Sequence, residues 1–264
     1  MIDARTYGPW AVIAGGSEGV GASFARQLAD AGLNLVLIAR KSGPLERTAE
    51  LVRERGVQVR TLSLDLLAPD AVATVVRETR GLDVGLLIFN AGANSYGSEF
   101  VHSDMDRVRG VIDLNITAQL GLCRHFGEQL KQRGRGGIVL LGSLAGYLGH
   151  EHIGVYAASK AFGRVFAEGL WLELKEHGVH VLELVLGMTR TPAMERAGLR
   201  MDLPGLNVAE PDDVAREGLE HIADGPVHVA GGNEETARQR GGEPRDHLVE
   251  SNAKTLRKVI GGTS

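Results

Sequence analysis

The sequence predicts an α/β fold: a doubly wound parallel sheet, Rossmann-like, in a single domain spanning residues 1–264. Three observations carry this expectation. Short apolar runs alternate with segments of helical period. Several runs are apolar at successive positions, as in strands buried on both faces. The connections are short, which favours right-handed crossovers between parallel strands.

Each element follows in order. Trp10–Ala14 is a short apolar strand. A glycine-rich loop and a helical pattern through Phe24, Leu28 and Ala31 come next, with Gly32 as the stop. Leu35–Ala39 is a second buried strand, and Leu45–Arg55 a charged amphipathic helix ending at Gly56. Val57–Leu64 alternates as a strand, Ala71–Thr79 is helical, and Val84–Phe89 is again continuously apolar. A long helix is predicted from Asp104 to Gln132, a fifth strand over Ile138–Leu141, a second long helix from Tyr156 to Glu176, and a sixth strand over Val179–Leu186. Residues 187–208 break into a Pro, Gly, Met and Leu-rich segment, read as a loop or small helices over a site. Pro211–Ala223 resumes a helix, Val227–Ala230 is a last strand, and residues 231–264 form a polar, glycine-punctuated tail with a final helix near Asp246–Ile260.

Composition narrows the function classes. With 43% hydrophobic and 23% charged residues the chain is not disordered. A net charge of −4 provides no field for nucleic acid or an anionic membrane. The 36 glycines have no three-residue period, which excludes collagen, and they cluster in short loops. A lone cysteine, Cys123, permits no internal disulfide and no cysteine zinc site, and suits a cytoplasmic protein. The opening MIDARTYGPW does not read as a signal peptide, and no run approaches the roughly 18 apolar residues of a membrane span.

Five motifs bear chemistry. Gly15, Ser17, Gly19, Val20 and Gly21 lie in the loop after the first strand, where bare backbone and a helix N-terminus suit a pyrophosphate; the bland alternative is a tight turn that binds nothing. Arg40 and Lys41 end the second strand, where a dinucleotide fold reads the adenosine ribose. No acid is present, so they suit the extra phosphate of NADP, or they are solvated surface cations. Asn90, Ala91 and Gly92 follow the fourth strand and allow close backbone approach, or merely turn. Asp65 is an adenine contact or a helix cap.

The strongest motif is Ser143 past the fifth strand with Tyr156 and Lys160 four apart on one helix face. Such a pair is common on helices, but its position after a Ser-bearing strand end, in a chain with the glycine loop, favours proton transfer to a carbonyl oxygen. An ammonium about 4 Å from the phenol at an effective dielectric near 20 is worth roughly 4 kcal/mol, or roughly three pKa units. Asn115 falls on the apolar stripe of Val108, Val111, Ile112, Leu122 and Phe126, so it either bonds neighbouring backbone or holds a water that relays protons to Lys160. His150 and His152 either touch substrate or solvate a loop, and the loop is favoured because no third metal ligand is visible; Lys131, Arg133 and Arg135 read as a solvated helix end.

Together these motifs, from about Trp10 to Pro192, resemble the short-chain dehydrogenase/reductase family, in its short single-domain branch. Ala14 replaces the Thr of the family's TGxxxGxG loop, Phe89 replaces the first Asn of its NNAG, and Leu186 replaces the Pro of its Pro-Gly turn. The resemblance implies a catalytic tetrad of Asn115, Ser143, Tyr156 and Lys160, with Tyr156 as acid or base and Lys160 lowering its pKa and holding the ribose. It implies adenine contacts from Asp65 and Leu66, and a nicotinamide carboxamide held by Gly187 with Thr189 and Thr191. The expected protein is an NADP(H)-dependent oxidoreductase interconverting a carbonyl and an alcohol, with a small hydrophobic substrate walled by Leu144, Tyr147, Leu148, Met188, Met194, Leu199 and Met201. It is expected to use no metal and to form a homodimer or homotetramer through its long helices. The alternative is an NADP(H)-binding regulatory protein without turnover, which would need the glycine loop but not Tyr156. A sugar-nucleotide epimerase is disfavoured by length and by Ala22.

Overall fold

A computed structural model describes residues 2–93 and 97–242, together with residues 251, 254 and 255. Strands β1 (Trp10–Ala14), β2 (Asn34–Ala39), β3 (Val59–Ser63), β4 (Val84–Phe89), β5 (Gly136–Ser143) and β6 (Val179–Leu186) pair in parallel. Two short strands, β7 (Met188–Thr189) and β8 (Val208–Ala209), pair with each other, and β9 (Val227–Val229) completes the main sheet in the order β3-β2-β1-β4-β5-β6-β9. The strand order reverses between β1 and β4, the place where a doubly wound sheet opens a crevice at its carboxyl edge.

The helices are α1 (Ala4–Tyr7), α2 (Gly19–Asp30), α3 (Ser42–Arg53), α4 (Ala71–Glu78), α5 (Met105–Ile112), α6 (Ala118–Arg133), α7 (Gly154–Leu174), α8 (Pro192–Arg196), α9 (Pro211–Glu220) and α10 (Glu234–Arg240). Because β1 and β4 are buried at every position, they need apolar cover on both sides. On one face Ile13, Leu35, Leu37 and Leu184 pack with Phe24 and Leu28 of α2, Leu45 and Val52 of α3, and Val214 and Leu219 of α9. On the other, Val12, Val36, Leu87 and Ile138 pack with Val75 of α4, Leu122 and Phe126 of α6, and Ala167 and Leu174 of α7.

Several expectations change. The helix predicted from Asp104 to Gln132 is two helices joined by a π-helical turn, Asp113–Thr117. The extra residue per turn carries Asn115 out of strict helical register. β5 extends two residues beyond each end of the predicted Ile138–Leu141, because glycines at 136, 137 and 142 hide its ends from an apolar count. The second long helix runs Gly154–Leu174 and closes in a 3₁₀ turn, Lys175–His177. Of the Lys131, Arg133 and Arg135 group, Arg133 is not a solvated helix end. Its side chain is 10% exposed, it pairs with Asp83, and it donates to the Thr6 and Gly8 carbonyls, anchoring the chain before β1. The polar, glycine-punctuated tail holds α10 between its two glycine pairs; the final helix expected near Asp246–Ile260 lies almost wholly outside the described residues.

Candidate active site

A cleft of about 420 Å³ opens at the carboxyl edge of the sheet, over the switch between β1 and β4. Gly15, Ser17, Gly19 and Val20 line it from the first loop, and Arg40 and Lys41 from the end of β2. Asp65, Leu66, Asn90, Ala91 and Gly92 follow, and Ser143, Tyr156, Lys160, Gly187, Thr189 and Thr191 complete the predicted set. Gly21 does not line the cleft. A Cβ there would lie 2.0 Å from the Gly15 carbonyl oxygen, so the bare residue lets α2 abut the loop. Gly15 has φ +86°, a conformation that favours glycine. The Asn90 side chain donates to the Gly15 carbonyl over 2.8 Å and the Thr48 hydroxyl to the Ser17 carbonyl over 2.8 Å, tying β4 and α3 to the loop.

These residues fit a nicotinamide dinucleotide. The N-cap of α2, Glu18, makes no side-chain capping bond, so it satisfies none of the backbone N–H groups of the first helical turn beside the cleft. The ribose end presents the exposed cations Arg40 and Lys41 and no acid at the end of β2. Asp65 accepts from its own loop at the Leu67 N–H, 3.0 Å, so it caps whatever else it touches.

At the inner end stand the reactive groups. Ser143 ends β5, and its Oγ accepts from the Ala145 N–H at 3.1 Å. It also hydrogen-bonds the half-buried Tyr156 phenol. Lys160, one turn along α7, is 8% exposed; its ammonium donates to the Leu141 carbonyl over 2.8 Å and lies 5.7 Å from the centre of the Tyr156 ring. The lowered phenol pKa expected from Lys160 is not found in the free protein. Burial pushes Tyr156 up, opposed by the Ser143 hydrogen bond. Burial pushes Lys160 down to about 8, with the Glu183 carboxylate opposing.

Asn115 bonds neighbouring backbone, the first of the two readings given for it. Its amide nitrogen donates to the Ala93 and Val111 carbonyls, each at 2.9 Å. Its buried Oδ1 has no partner among the described residues, and it shares the approach to Gly92 with Lys160: a Cβ on Gly92 would lie 2.8 Å from that oxygen and 3.0 Å from the Lys160 ammonium.

The expected apolar wall is largely elsewhere. Only Met194 of that group lines the cleft. Leu144 packs with Val185 and Ala237 in the core, and Tyr147 and Leu148 line a separate depression under Arg164, whose guanidinium lies 4.2 Å from the Tyr147 ring centre. His150 is not simply solvated, since burial and then Arg240 push its imidazole down to about 4.

Sequence reasoning missed three residues. Glu18 and Arg196 of α8 form a two-pronged ion pair at the cleft's rim, linking the glycine loop to the 187–208 segment. Asn233, 5% exposed, packs on Gly187 and donates to the Ala230 carbonyl at 2.8 Å, bracing the turn in which Leu186 replaces proline. The only signal for Asn233 was the Gly231-Gly232 pair before it, both at positive φ.

Residues 9–201 match the model of the family described as short chain dehydrogenase. The chain is 28% identical over 245 residues to the 7beta-hydroxysteroid dehydrogenase of Clostridium sardiniense, spanning 92% of this chain and 94% of that enzyme. It is 34% identical over 194 residues to the very-long-chain 3-oxoacyl-CoA reductase of Neurospora crassa, covering 72% of this chain but 58% of that longer protein. A solved short-chain dehydrogenase from Sphingobium yanoikuyae, in complex with NADPH, superposes with a TM-score of 0.79 at 32% identity, over 97% of this chain and 98% of that one.

Proposed function

The chain belongs to the short-chain dehydrogenase family, and from that premise we propose an NADP(H)-dependent carbonyl reductase or alcohol dehydrogenase in which Ser143, Tyr156, Lys160 and Asn115 form the catalytic machinery. That it is an oxidoreductase using a nicotinamide cofactor and acting on CH–OH groups follows from family membership. The carrying observation is that one cleft is lined both by the glycine loop with Arg40 and by Ser143, Tyr156 and Lys160. A nicotinamide held by the glycine loop and the turn at Gly187 would, when bound, supply or accept the hydride. Every other task falls to the chain. In reduction the Tyr156 hydroxyl donates its proton to the carbonyl oxygen, and Ser143 offers that oxygen a second hydrogen bond. Lys160, fixed on the Leu141 carbonyl, stabilises the phenolate that forms, and the Asn115 oxygen orients it.

Arg40 and the absence of an acid at the end of β2 support NADP over NAD. The named substrates of the two relatives, a hydroxysteroid and a very-long-chain acyl group, support an apolar substrate. One dinucleotide-binding domain over 1–264, with 187–208 covering the substrate, completes the reading. We place it in the cytoplasm as a homodimer or homotetramer: no helix among the described residues is long and apolar enough to cross a membrane, and Phe162, Val165 and Leu172 leave an exposed apolar stripe on α7.

Tyr156→Phe tests the assignment. Across a panel of ketones, aldehydes and secondary alcohols it should lower turnover by about 10²–10⁴-fold while NADPH binding, read by the fluorescence of the bound cofactor, persists. A phenylalanine variant that turns over at the parent rate would refute the role of Tyr156.

A further inference from the structure

The turn that carries Ser143 is held from two sides, and one of the holders is α10, which the mechanism above does not use. Past Ser143 the chain enters a 3₁₀ turn at once, Leu144–Tyr147. The serine is the cap of that turn, its Oγ accepting from the Ala145 N–H. Hydroxyl and turn are therefore one piece, and a shift of the turn swings the hydroxyl relative to the Tyr156 phenol it bonds.

On one side the turn leans on α7. A Cβ on Gly146 would lie 2.8 Å from both the Ala161 nitrogen and the Lys160 carbonyl carbon, so the turn lies directly on the helix backbone that carries Lys160. On the other side stands α10. Ala237, 5% exposed, packs with Leu144 and Val185. Arg240, three residues on and so on the same helix face, is half-buried, and its Nη1 donates to the Leu144 carbonyl over 3.2 Å. Arg238, the other cation of the last turn, pairs instead with Glu235 at the surface. The His150 imidazole, beside the Arg240 guanidinium, hydrogen-bonds the Ala145 backbone, so the next residue of the turn is held as well.

The helix that bears Arg240 is itself fixed at its start. Asn233, its N-cap, is 5% exposed, donates to the Ala230 carbonyl, and lies against Gly187, where a Cβ would meet its amide nitrogen at 2.7 Å. Since β5 and β6 are neighbours in the sheet, α10 spans their two carboxyl ends. It braces the Gly187 turn through Asn233 and the Ser143 turn through Arg240. A guanidinium taken partly out of water has to be hydrogen-bonded, and a charged donor holds a carbonyl more firmly than a neutral one.

We propose that Arg240 is a positioning residue for Ser143: by holding the Leu144 carbonyl, its guanidinium fixes the turn that aims the serine hydroxyl at the Tyr156 phenol and the substrate oxygen. Arg240 does not line the cofactor cleft, so it acts through the turn. The last described helix thereby belongs to the catalytic apparatus.

The inference rests on the catalytic reading of Ser143, and a double-mutant cycle separates the two. Arg240→Met keeps the aliphatic stem and removes the donors. In the full chain it should lower kcat for carbonyl reduction by about ten- to a hundredfold, the cost of a reacting group displaced by up to about 1 Å. The Kd for NADPH, read by the fluorescence of the bound cofactor, should stay at the parental value. Once Ser143 is replaced by Ala there is no hydroxyl to aim, so adding Arg240→Met should cost no further turnover. Equal losses in the two backgrounds would mean that the arginine only anchors the chain end, and would overturn the proposal. So would a parental kcat in Arg240→Met, or a loss matched by weaker NADPH binding. Ser143→Ala at the parental rate would defeat the catalytic reading of the serine, and the proposal with it. Should Arg240→Met not fold, Arg240→Lys, which keeps the charge and an N–H donor, decides by the same cycle. A smaller fall in kcat that vanishes without the Ser143 hydroxyl supports the proposal; a parental kcat, or a fall that persists, counts against it.

Discussion

The chemistry of the site is set residue by residue, and cofactor choice is the plainest case. Arg40 is exposed at the cleft, with its backbone carbonyl tied to the Ser63 hydroxyl at 3.3 Å, so the strand end is fixed while the guanidinium is free to meet a ligand. A charge-assisted bond to a phosphate is worth about 1.5–3 kcal/mol, so Arg40→Asp, which also introduces repulsion, should raise KM for NADPH at least about tenfold. KM for NADH should rise less or fall, because the new carboxylate suits a ribose hydroxyl. Steady-state kinetics with both cofactors read the change, and an unaltered NADPH-to-NADH ratio would remove Arg40 from cofactor recognition. At this scale much of the site was legible. Ser143, Tyr156 and Lys160 could be picked out because their spacing is set by one strand end and one helix. Glu18 with Arg196, and Asn233 behind Gly187, were not legible: their partners lie 178 and 46 residues away in sequence, and the one local mark, the glycine pair before Asn233, says nothing of its partner.

Elements decide whether those residues meet. Where a buried strand is apolar from its first residue to its last, the sequence marks its ends, and so β1, β4 and β6, the last in spite of its two internal polar residues, have the boundaries the sequence predicted. The expectations failed at junctions. Apolar periodicity cannot distinguish one long helix from two joined by a five-residue π turn, because the stripe of Val108, Val111, Leu122 and Phe126 runs across the joint. Yet that turn carries Asn115, whose oxygen lies with the Lys160 ammonium against Gly92. The junction of the glycine loop with α2 is equally exacting. Adding one methyl at Gly21 sets a Cβ 2.0 Å from the Gly15 carbonyl and 2.7 Å from the Asn90 amide, both fixed groups. Gly21→Ala therefore has to displace the start of α2 and the end of β4 together. We expect it to weaken NADPH binding by at least about tenfold and to cost roughly 1–3 kcal/mol of stability, typical of overpacking a tight site. Cofactor titration and urea unfolding measure both; a variant with parental affinity would show that the loop does not depend on this approach.

At the scale of the molecule, the question is whether the cleft and the interior form one cooperative unit. Cys123 is a natural reporter of the answer. It lies on α6, 1% exposed, in the core that joins α4, α6 and α7 to the sheet beneath the cleft, and burial pushes its thiol up to about 12. Disulfide exchange needs the thiolate, which at pH 8 would be about one part in ten thousand of a group titrating at 12, and it needs access as well. An aromatic disulfide reagent should therefore label Cys123 only when the structure opens. If that opening is global, a ligand that binds the folded state alone must suppress it by mass action: NADPH at 100 times its Kd adds about 2.7 kcal/mol and should slow labelling about a hundredfold. NADH at the same concentration should slow it less if Arg40 selects the phosphate. Labelling indifferent to NADPH would mean that α6 opens locally while the cleft stays formed. The Asn115 turn, which continues directly into α6, would then be able to shift without loss of the cofactor, and the rigid alignment of Asn115 with Lys160 would fail. Slowing in proportion to cofactor occupancy would instead bind core, turn and cleft into one unit.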